Sequence, residues 1–321
     1  MIPNDSDTVE YRANVSFKQG KEVMSAMENV PLTISYFVLV FIGITGNSLV
    51  VSAVLKNRNM RSTTNILLAF VSAADLISLI CFIPFAILLT FKLPGGTLGA
   101  VLCQTFATAN TSSATIVVSI TTLTLLAVER FRALLKPWNS RLRLTKDSVF
   151  YWIFGISLYS VILVIPLFSF MEFDEKERTC SDLRELKTER RIYYSLLGCG
   201  VALALFVICF CYWRIIRGFY FGSQRLCVNE ELQQKRRVVK LLLLITLAFI
   251  ICFTPRAVYF LFFYSNRGPF NQISFFLIHS NSATNPIILW FQSQNFRAEF
   301  KNMVSEINCK IKRLTCFVSN N

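Results

Sequence analysis

Seven runs of mostly apolar residues, near 31–55, 65–91, 103–134, 148–170, 191–216, 236–264 and 272–291, leave this chain little choice of fold. About 20 apolar residues in helical form cross the hydrocarbon of a bilayer, and each run is of that length. Together they consume most of the 321 residues and leave no room for a separate soluble domain. The expected fold is an all-α membrane protein with an N-terminal tail over 1–30 and a seven-helix bundle over 31–292. A short amphipathic helix and tail follow over 293–321. With 54% hydrophobic and 16% charged residues, the chain does not match an ordinary soluble domain.

The net charge of +14 is explained by where the 33 basic residues fall. They gather in alternate connections between spans, as at Lys56 to Arg61, Arg132 to Lys146 and Lys235 to Lys240, and in the tail from Arg297 to Arg313. That asymmetry marks the cytoplasmic side and sets the N-terminus outside, in the plasma membrane. Basic residues interleaved with aromatics on a folded face, which nucleic acid would require, are not visible. The first thirty residues lack a charged n-region followed by an apolar core, so the first span is expected to direct insertion itself. Asn4 and Asn14 open glycosylation sequons on the outer side. The sequon at Asn110 falls at the membrane and is set aside. A single histidine, no Gly-rich phosphate loop and no second acid to pair with Asp75 inside the spans argue against an enzyme.

Polar groups inside the apolar runs carry the functional reading. Asp75 lies two to three turns into the second span with no basic residue in its own run, an expensive position unless a proton, a cation or polar neighbours compensate. Asn47, after Gly43 and Gly46, needs a partner on another helix, and the glycines permit close packing. Glu129 and Arg130 stand together at the inner end of the third span. Arg256 follows Pro255, which frees a backbone carbonyl and kinks the sixth span. A guanidinium there either snorkels outward or lines a wet cavity and meets an acidic group of a ligand.

Several of these residues fall in motifs. Glu129-Arg130-Phe131, with Pro137 seven residues past the arginine, resembles the Asp/Glu-Arg-Tyr motif of rhodopsin-like (class A) G-protein-coupled receptors. Gly46-Asn47, Asp75, the run Phe249 to Pro255, and Asn285-Pro286 match further motifs of that family. The segments Arg61 to Asn65, Ile83-Pro84-Phe85 and the Leu93-Pro94 loop resemble its peptide-receptor branch, of the galanin and allatostatin type. Departures are Phe131 for tyrosine, Phe253 for tryptophan, Leu289 for the tyrosine of Asn-Pro-x-x-Tyr, Gly96 for an outer-loop tryptophan, and Ala204 where the fifth span normally has proline. The distance from Cys103 to Arg130 is also a couple of residues longer than usual, so the outer end of the third span should start late or bulge.

The resemblance implies roles for named residues. Asp75, Ser119, Asn281 and Asn285 would hold a sodium ion, and oxygen ligands from several helices suit such a hard cation. Asn47 would bond toward Asp75. Glu129, Arg130, Phe131, Tyr212, Phe253, Pro255, Asn285 and Pro286 would form the switch that meets a heterotrimeric G protein, with Tyr212 supporting Arg130 in the active form. Glu230 or Glu231 is a candidate to hold Arg130 at rest, but Lys235 stands where an acid would lock it, so no strong lock is expected. Arg256, Ser112, His279 and Tyr259 are the ligand-contact candidates. Ser112 stands where amine receptors carry their aspartate, which argues against a biogenic amine, and the resemblance to the peptide-receptor branch implies a neuropeptide as ligand. Cys103 and Cys180, the two cysteines predicted near the oxidising face, are expected to pair as in the family. The densely charged loop from Glu172 to Arg191 reads as a solvated connection or, alternatively, as a contact surface for a basic peptide. Cys309 and Cys316, among basic residues, are palmitoylation candidates, and arrestin and membrane lipids are further implied partners. The alternative is a polytopic transporter with its cation site at Asp75.

Overall fold

In lipid a backbone has no partner but itself, so uninterrupted apolar runs become helices, and they end where the sequence supplies charge, glycine or proline. A computed structural model describes residues 5–88, 92–107, 110–135, 144–182, 187–221, 230–259 and 269–319. The helices are α1 (Asp5–Lys56), α2 (Thr63–Leu88), α3 (Gly96–Leu102), α4 (Asn110–Leu135), α5 (Ser148–Phe168), α6 (Lys187–Phe221), α7 (Glu230–Val258), α8 (Pro269–Gln292) and α9 (Gln294–Ser319). Between α5 and α6 a hairpin pairs β1 (Met171–Asp174) antiparallel with β2 (Thr179–Asp182).

Among the described residues, six stretches are long and apolar enough to cross a membrane: Val30–Lys56, Thr63–Pro84, Ser113–Leu135, Ser148–Phe168, Arg191–Gly218 and Arg236–Val258. The seventh expected span is α8, whose 24 residues suffice in length but carry His279, Asn281, Ser282, Thr284 and Asn285 in their middle. Those side chains lower its hydropathy and are buried or half-buried facing the interior of the bundle, while Ile273, Ile287 and Phe291 of the same helix are exposed on its apolar outer face. The rest of the surface is inverted relative to a soluble protein. Phe41 (73% exposed), Tyr151 (80%), Phe154 and Phe206 face outward, while Asn47, Asp75, Ser119 and Asn285 are sealed inside. An apolar exterior this extensive is a lipid-facing surface. Trp152 belongs to it, half exposed on α5.

The axis of the bundle is α4, which packs against α2, α5, α6 and α7, while α1 lies on α2 and α8. The close approach of α1 depends on two glycines. A Cβ on Gly43 would stand 2.5 Å from Leu79 Cδ1, and one on Gly46 would stand 2.6 Å from Pro286 Cγ. The inner half holds the main core, including Val50, Leu67, Leu126, Ile208, Leu242 and Leu289. A smaller outer cluster gathers Tyr36, Leu79 and Phe82.

The outer end of the third span bulges as its length required: it is built from α3 and a π-helical stretch, Cys103–Ala107, whose wider turn takes up extra residues. Three details add to or depart from the sequence expectation. The charged loop, whose residues Asp174 to Arg178 are exposed as expected, contains the hairpin, with Phe173 opposite Cys180. The polar stretch before Val30 continues the helix of α1 back to Asp5. Finally, α9 extends for 26 residues and is not a short appendage. It buries Phe296, Phe300 and Met303 against the bundle, and Asn57 donates to its Glu299 at 3.1 Å. At the break before it, Arg297 donates to the carbonyls of Trp290 (3.0 Å) and Phe291 (2.7 Å) and so closes the end of α8.

Candidate functional site

Asp75 sits three turns into α2, 1% exposed, and both carboxylate oxygens are engaged from α8. Ser282 Oγ donates to one oxygen at 2.7 Å and Asn285 Nδ2 to the other at 2.9 Å. Asn47 does not reach the carboxylate itself, as the resemblance had implied. Its amide donates to the carbonyls of Ser282 (2.7 Å) and Gly43 (2.9 Å), because the missing side chain at Gly46 brings α1 against α8 first. Three helices are therefore stitched through one serine: its carbonyl takes α1 and its hydroxyl gives to α2.

Beside the carboxylate lies a cavity of about 10 Å³, bordered by Asp75, Ser78, Thr115, Ser119, His279 and Asn281 among others. That volume admits one particle the size of water. The Oδ1 atoms of Asn281 and Asn285 are buried without a hydrogen bond among the described residues. A carboxylate, hydroxyls and orphaned amide oxygens make a donor set suited to a small hard cation. Of the four residues expected at such a site, Asp75, Ser119 and Asn281 border the cavity, and Asn285 is bonded to the carboxylate. His279 borders it as well. The imidazole is wedged between Phe82 (4.2 Å) and Phe275 (4.4 Å), and its Nδ1 donates to the Phe275 carbonyl at 2.8 Å. Its Nε2 is buried without a partner among the described residues.

At the inner end, Arg130 Nε lies 2.9 Å from Glu129 Oε2, a charge contact without hydrogen-bond alignment. Its Nη2 donates to Thr64 Oγ1 in the first turn of α2. Tyr212 is buried, but its hydroxyl has no hydrogen bond among the described residues, so the Tyr212–Arg130 support is not made in this form. Phe131 turns toward Phe210 of α6, with ring centres 6.4 Å apart. Leu289 is packed into the core, an apolar filling where the family has a phenol. The side chains of Glu230, Glu231 and Lys235 lie outside the described residues.

Pro255 lies within α7, and three turns of that helix carry the outer features of the site. Phe253 stacks on Phe249 at 5.6 Å with an interplanar angle of 11°. Arg256 does not snorkel outward. Its Nη1 donates to Asn271 Oδ1 at 2.6 Å, with Ser274 Oγ at 3.5 Å, and the guanidinium lies 4.9 Å from the Tyr259 ring and 5.1 Å from Phe275. Arg256, Tyr259 and His279 thus share one aromatic region at the outer ends of α7 and α8. A disulfide joins Cys103 to Cys180, with Cα atoms 5.4 Å apart, and fastens the hairpin to the third span. Cys309 is exposed on α9. Asn4 and the side chains of Ser112, Asn14 and Cys316 lie outside the described residues.

Sequence reasoning missed Ser282, Thr64 and Asn271. Two had a readable signal. Thr64 precedes Asp75 by eleven residues, three helical turns on the same face, and Ser282 precedes Asn285 by three. Asn271 had none, since only folding places it against Arg256.

Residues 46–289 match the model of the 7 transmembrane receptor (rhodopsin family). Galanin receptor type 1 of Mus musculus is 29% identical over 288 residues, covering 85% of this chain and 81% of its own length. Galanin receptor 2b of Danio rerio is 26% identical over 304 residues, 91% of this chain and 79% of the relative. Somatostatin receptor type 1 of Rattus norvegicus is 26% identical over 280 residues, 84% of this chain and 70% of the relative. The proteins it resembles are receptors, neither enzymes nor transporters. With the match spanning most of the chain and every span from the first to the seventh represented in it, the protein belongs to the rhodopsin family of seven-transmembrane receptors.

Proposed function

We propose that the protein is a receptor for an extracellular neuropeptide and that, once occupied, it promotes nucleotide exchange on a heterotrimeric G protein. The observation that carries this reading is the bond set around Ser282, which ties α1, α2 and α8 between an outer ligand region and an inner arginine. A ligand seated among Arg256, Tyr259, His279 and Ser112 bears on α7 and α8. Because α8 also holds Asp75, movement there changes the packing of α2 and, through Thr64, the setting of Arg130. The ligand selects the packing that binds it more tightly, and the G protein selects one in which Arg130 is released into an opened cleft. By linkage, each partner tightens the other.

A sodium ion in the Asp75 cavity would favour the resting packing, because its oxygen ligands come from helices that must separate slightly on activation. Ser119, Asn281 and Asn285 would share the ion with the carboxylate. The kinship with galanin and somatostatin receptors supports a peptide as ligand. The bias of basic residues supports an outer N-terminus at the plasma membrane, with arrestin as a second cytoplasmic partner. The test is a screen of a neuropeptide library on the purified receptor in lipid nanodiscs with a heterotrimeric G protein, reading nucleotide exchange. A peptide that accelerates exchange with wild-type receptor and not with Arg130→Ala supports the proposal. Peptide-driven solute flux without exchange refutes it.

A further inference from the structure

The cavity beside Asp75 is bounded by two tiers of polar side chains, one helical turn apart. Asp75, Ser119 and Ser282 form the inner tier. Ser78, Thr115 and His279, each three or four residues away on the same three helices, form the outer one. His279 thus stands about 4.5 Å along α8 from the serine that donates to the carboxylate. Phe82 and Phe275 crowd its ring, with centres 4.2 and 4.4 Å away, and its Nδ1 is committed to the Phe275 carbonyl. The edge left to border the cavity carries Nε2. That nitrogen is buried, in a residue 6% exposed, and has no hydrogen bond among the described residues. With Nδ1 as donor, the neutral ring keeps a lone pair on Nε2, so this atom accepts and does not donate.

The cavity and its charge specify what meets that lone pair. A volume of about 10 Å³ admits one particle, so its occupant faces both tiers at once. A water molecule donates to Nε2 but leaves the carboxylate uncompensated, since no basic side chain pairs with Asp75 among the described residues. A divalent ion leaves a net positive charge in the interior, because Asp75 is the only acid bordering the cavity. A small monovalent cation answers both the negative charge and the lone pair.

We propose that His279 Nε2 is a direct ligand of a monovalent cation at Asp75, a nitrogen donor from the outer tier beyond those the resemblance implies. The inference rests on the sodium reading of this cavity and adds a route to it. Phe275, which flanks the imidazole, also lies 5.1 Å from the Arg256 guanidinium in the outer ligand region. A ligand that displaces Phe275 or Phe82 withdraws a donor from the ion, and the ion holds the ring against that displacement. Ion and ligand are therefore coupled through one side chain, each weakening the other by the same factor.

The test measures sodium affinity directly, by sodium NMR line broadening on the purified full-length receptor in lipid nanodiscs, with choline holding the ionic strength constant. His279→Phe keeps an aromatic ring between Phe82 and Phe275 and removes the lone pair, and it should weaken sodium roughly tenfold, the lower end of what loss of polar support costs a metal site. His279→Gln sets an amide oxygen where Nε2 stands and should bind sodium at least as tightly as wild type. Ser280→Ala, which removes a hydroxyl bonded to the Phe276 carbonyl at 2.8 Å, is the control and should leave the affinity unchanged. A sodium response in wild type that persists undiminished in His279→Phe would overturn this assignment alone. Equal weakening in His279→Phe and His279→Gln would also overturn it, by making the residue a packing element. No sodium response in wild type would overturn the sodium reading together with it.

Discussion

Replacing Gly46 with alanine sets one methyl group against the packing of α1 on α8. The added Cβ would stand 2.6 Å from Pro286 Cγ and 2.8 Å from Pro286 Cβ. Carbon atoms prefer about 3.5–4.0 Å, so α1 must retreat by roughly 1 Å. The pyrrolidine ring is buried and cannot rotate aside. The retreat also stretches the bond from Asn47 Nδ2 to the Ser282 carbonyl, now 2.7 Å, beyond useful length. Overpacking costs about 1–3 kcal/mol and an interhelical hydrogen bond in a membrane about 0.6, so the variant should lose about 2–4 kcal/mol. Gly155→Ala is the matched control, because nothing lies within 4 Å of a Cβ built there. Helix propensity favours it by at most about 1 kcal/mol, and less where helices persist after the bundle separates. Thermal unfolding of the purified receptor, followed with a thiol-reactive dye that reports exposure of buried Cys211 and Cys252, reads both variants on one scale. Gly46→Ala should melt well below wild type and Gly155→Ala at or above it. If the two melt together, the close approach of α1 to Pro286 is not what sets the spacing.

Thr64→Val keeps the shape of the side chain and removes the acceptor of Arg130 Nη2, so ligand-free nucleotide exchange should rise about tenfold, as for loss of one charged hydrogen bond; unchanged basal exchange refutes it. Arg256→Gln breaks the contacts with Asn271 and both aromatic faces and should lower agonist potency far more than surface expression; a parallel loss of both would assign Arg256 to folding alone. Cys180→Ser opens a covalent loop spanning 77 residues and should destabilise the receptor by about 2–5 kcal/mol, read as a lower melting temperature under non-reducing conditions. Asp75→Asn should abolish the dependence of basal exchange on sodium against choline; a surviving dependence places the ion elsewhere.

What could be read from the chain was whatever lipid makes costly. Asp75 and Arg256 stood out because a charge in hydrocarbon demands company. Gly43 and Gly46 stood out because small residues let helices touch. The identity of the company was harder. Asp75 is met by Ser282, an unremarkable hydroxyl in a helix rich in them, and Arg130 by Thr64, one of two adjacent threonines in a segment that carried the family resemblance but no role. Selecting among many hydroxyls depends on helix rotation, and a sequence encodes that only through packing. The hairpin was missed despite a local signal. Met171-Glu172-Phe173-Asp174 alternates apolar and acidic residues with period two, and Met171 and Phe173 are the less exposed members. The density of charge there suggested solvent and outweighed the alternation. The π-helical stretch at Cys103–Ala107 was foreseen as a late start or a bulge, but residue counting gives an excess without choosing between them or giving the geometry.

Arg297 gives α9 a mechanical role. By holding the carbonyls of Trp290 and Phe291, its guanidinium makes the bend after Gln292 a stiff elbow and not a loose joint. Twenty-six helical residues reach about 39 Å, so a swing of roughly 10° at Pro286 would sweep the far tip by about 7 Å. A displacement too slight to notice in the interior would thus register as a broad stroke along the inner face of the membrane.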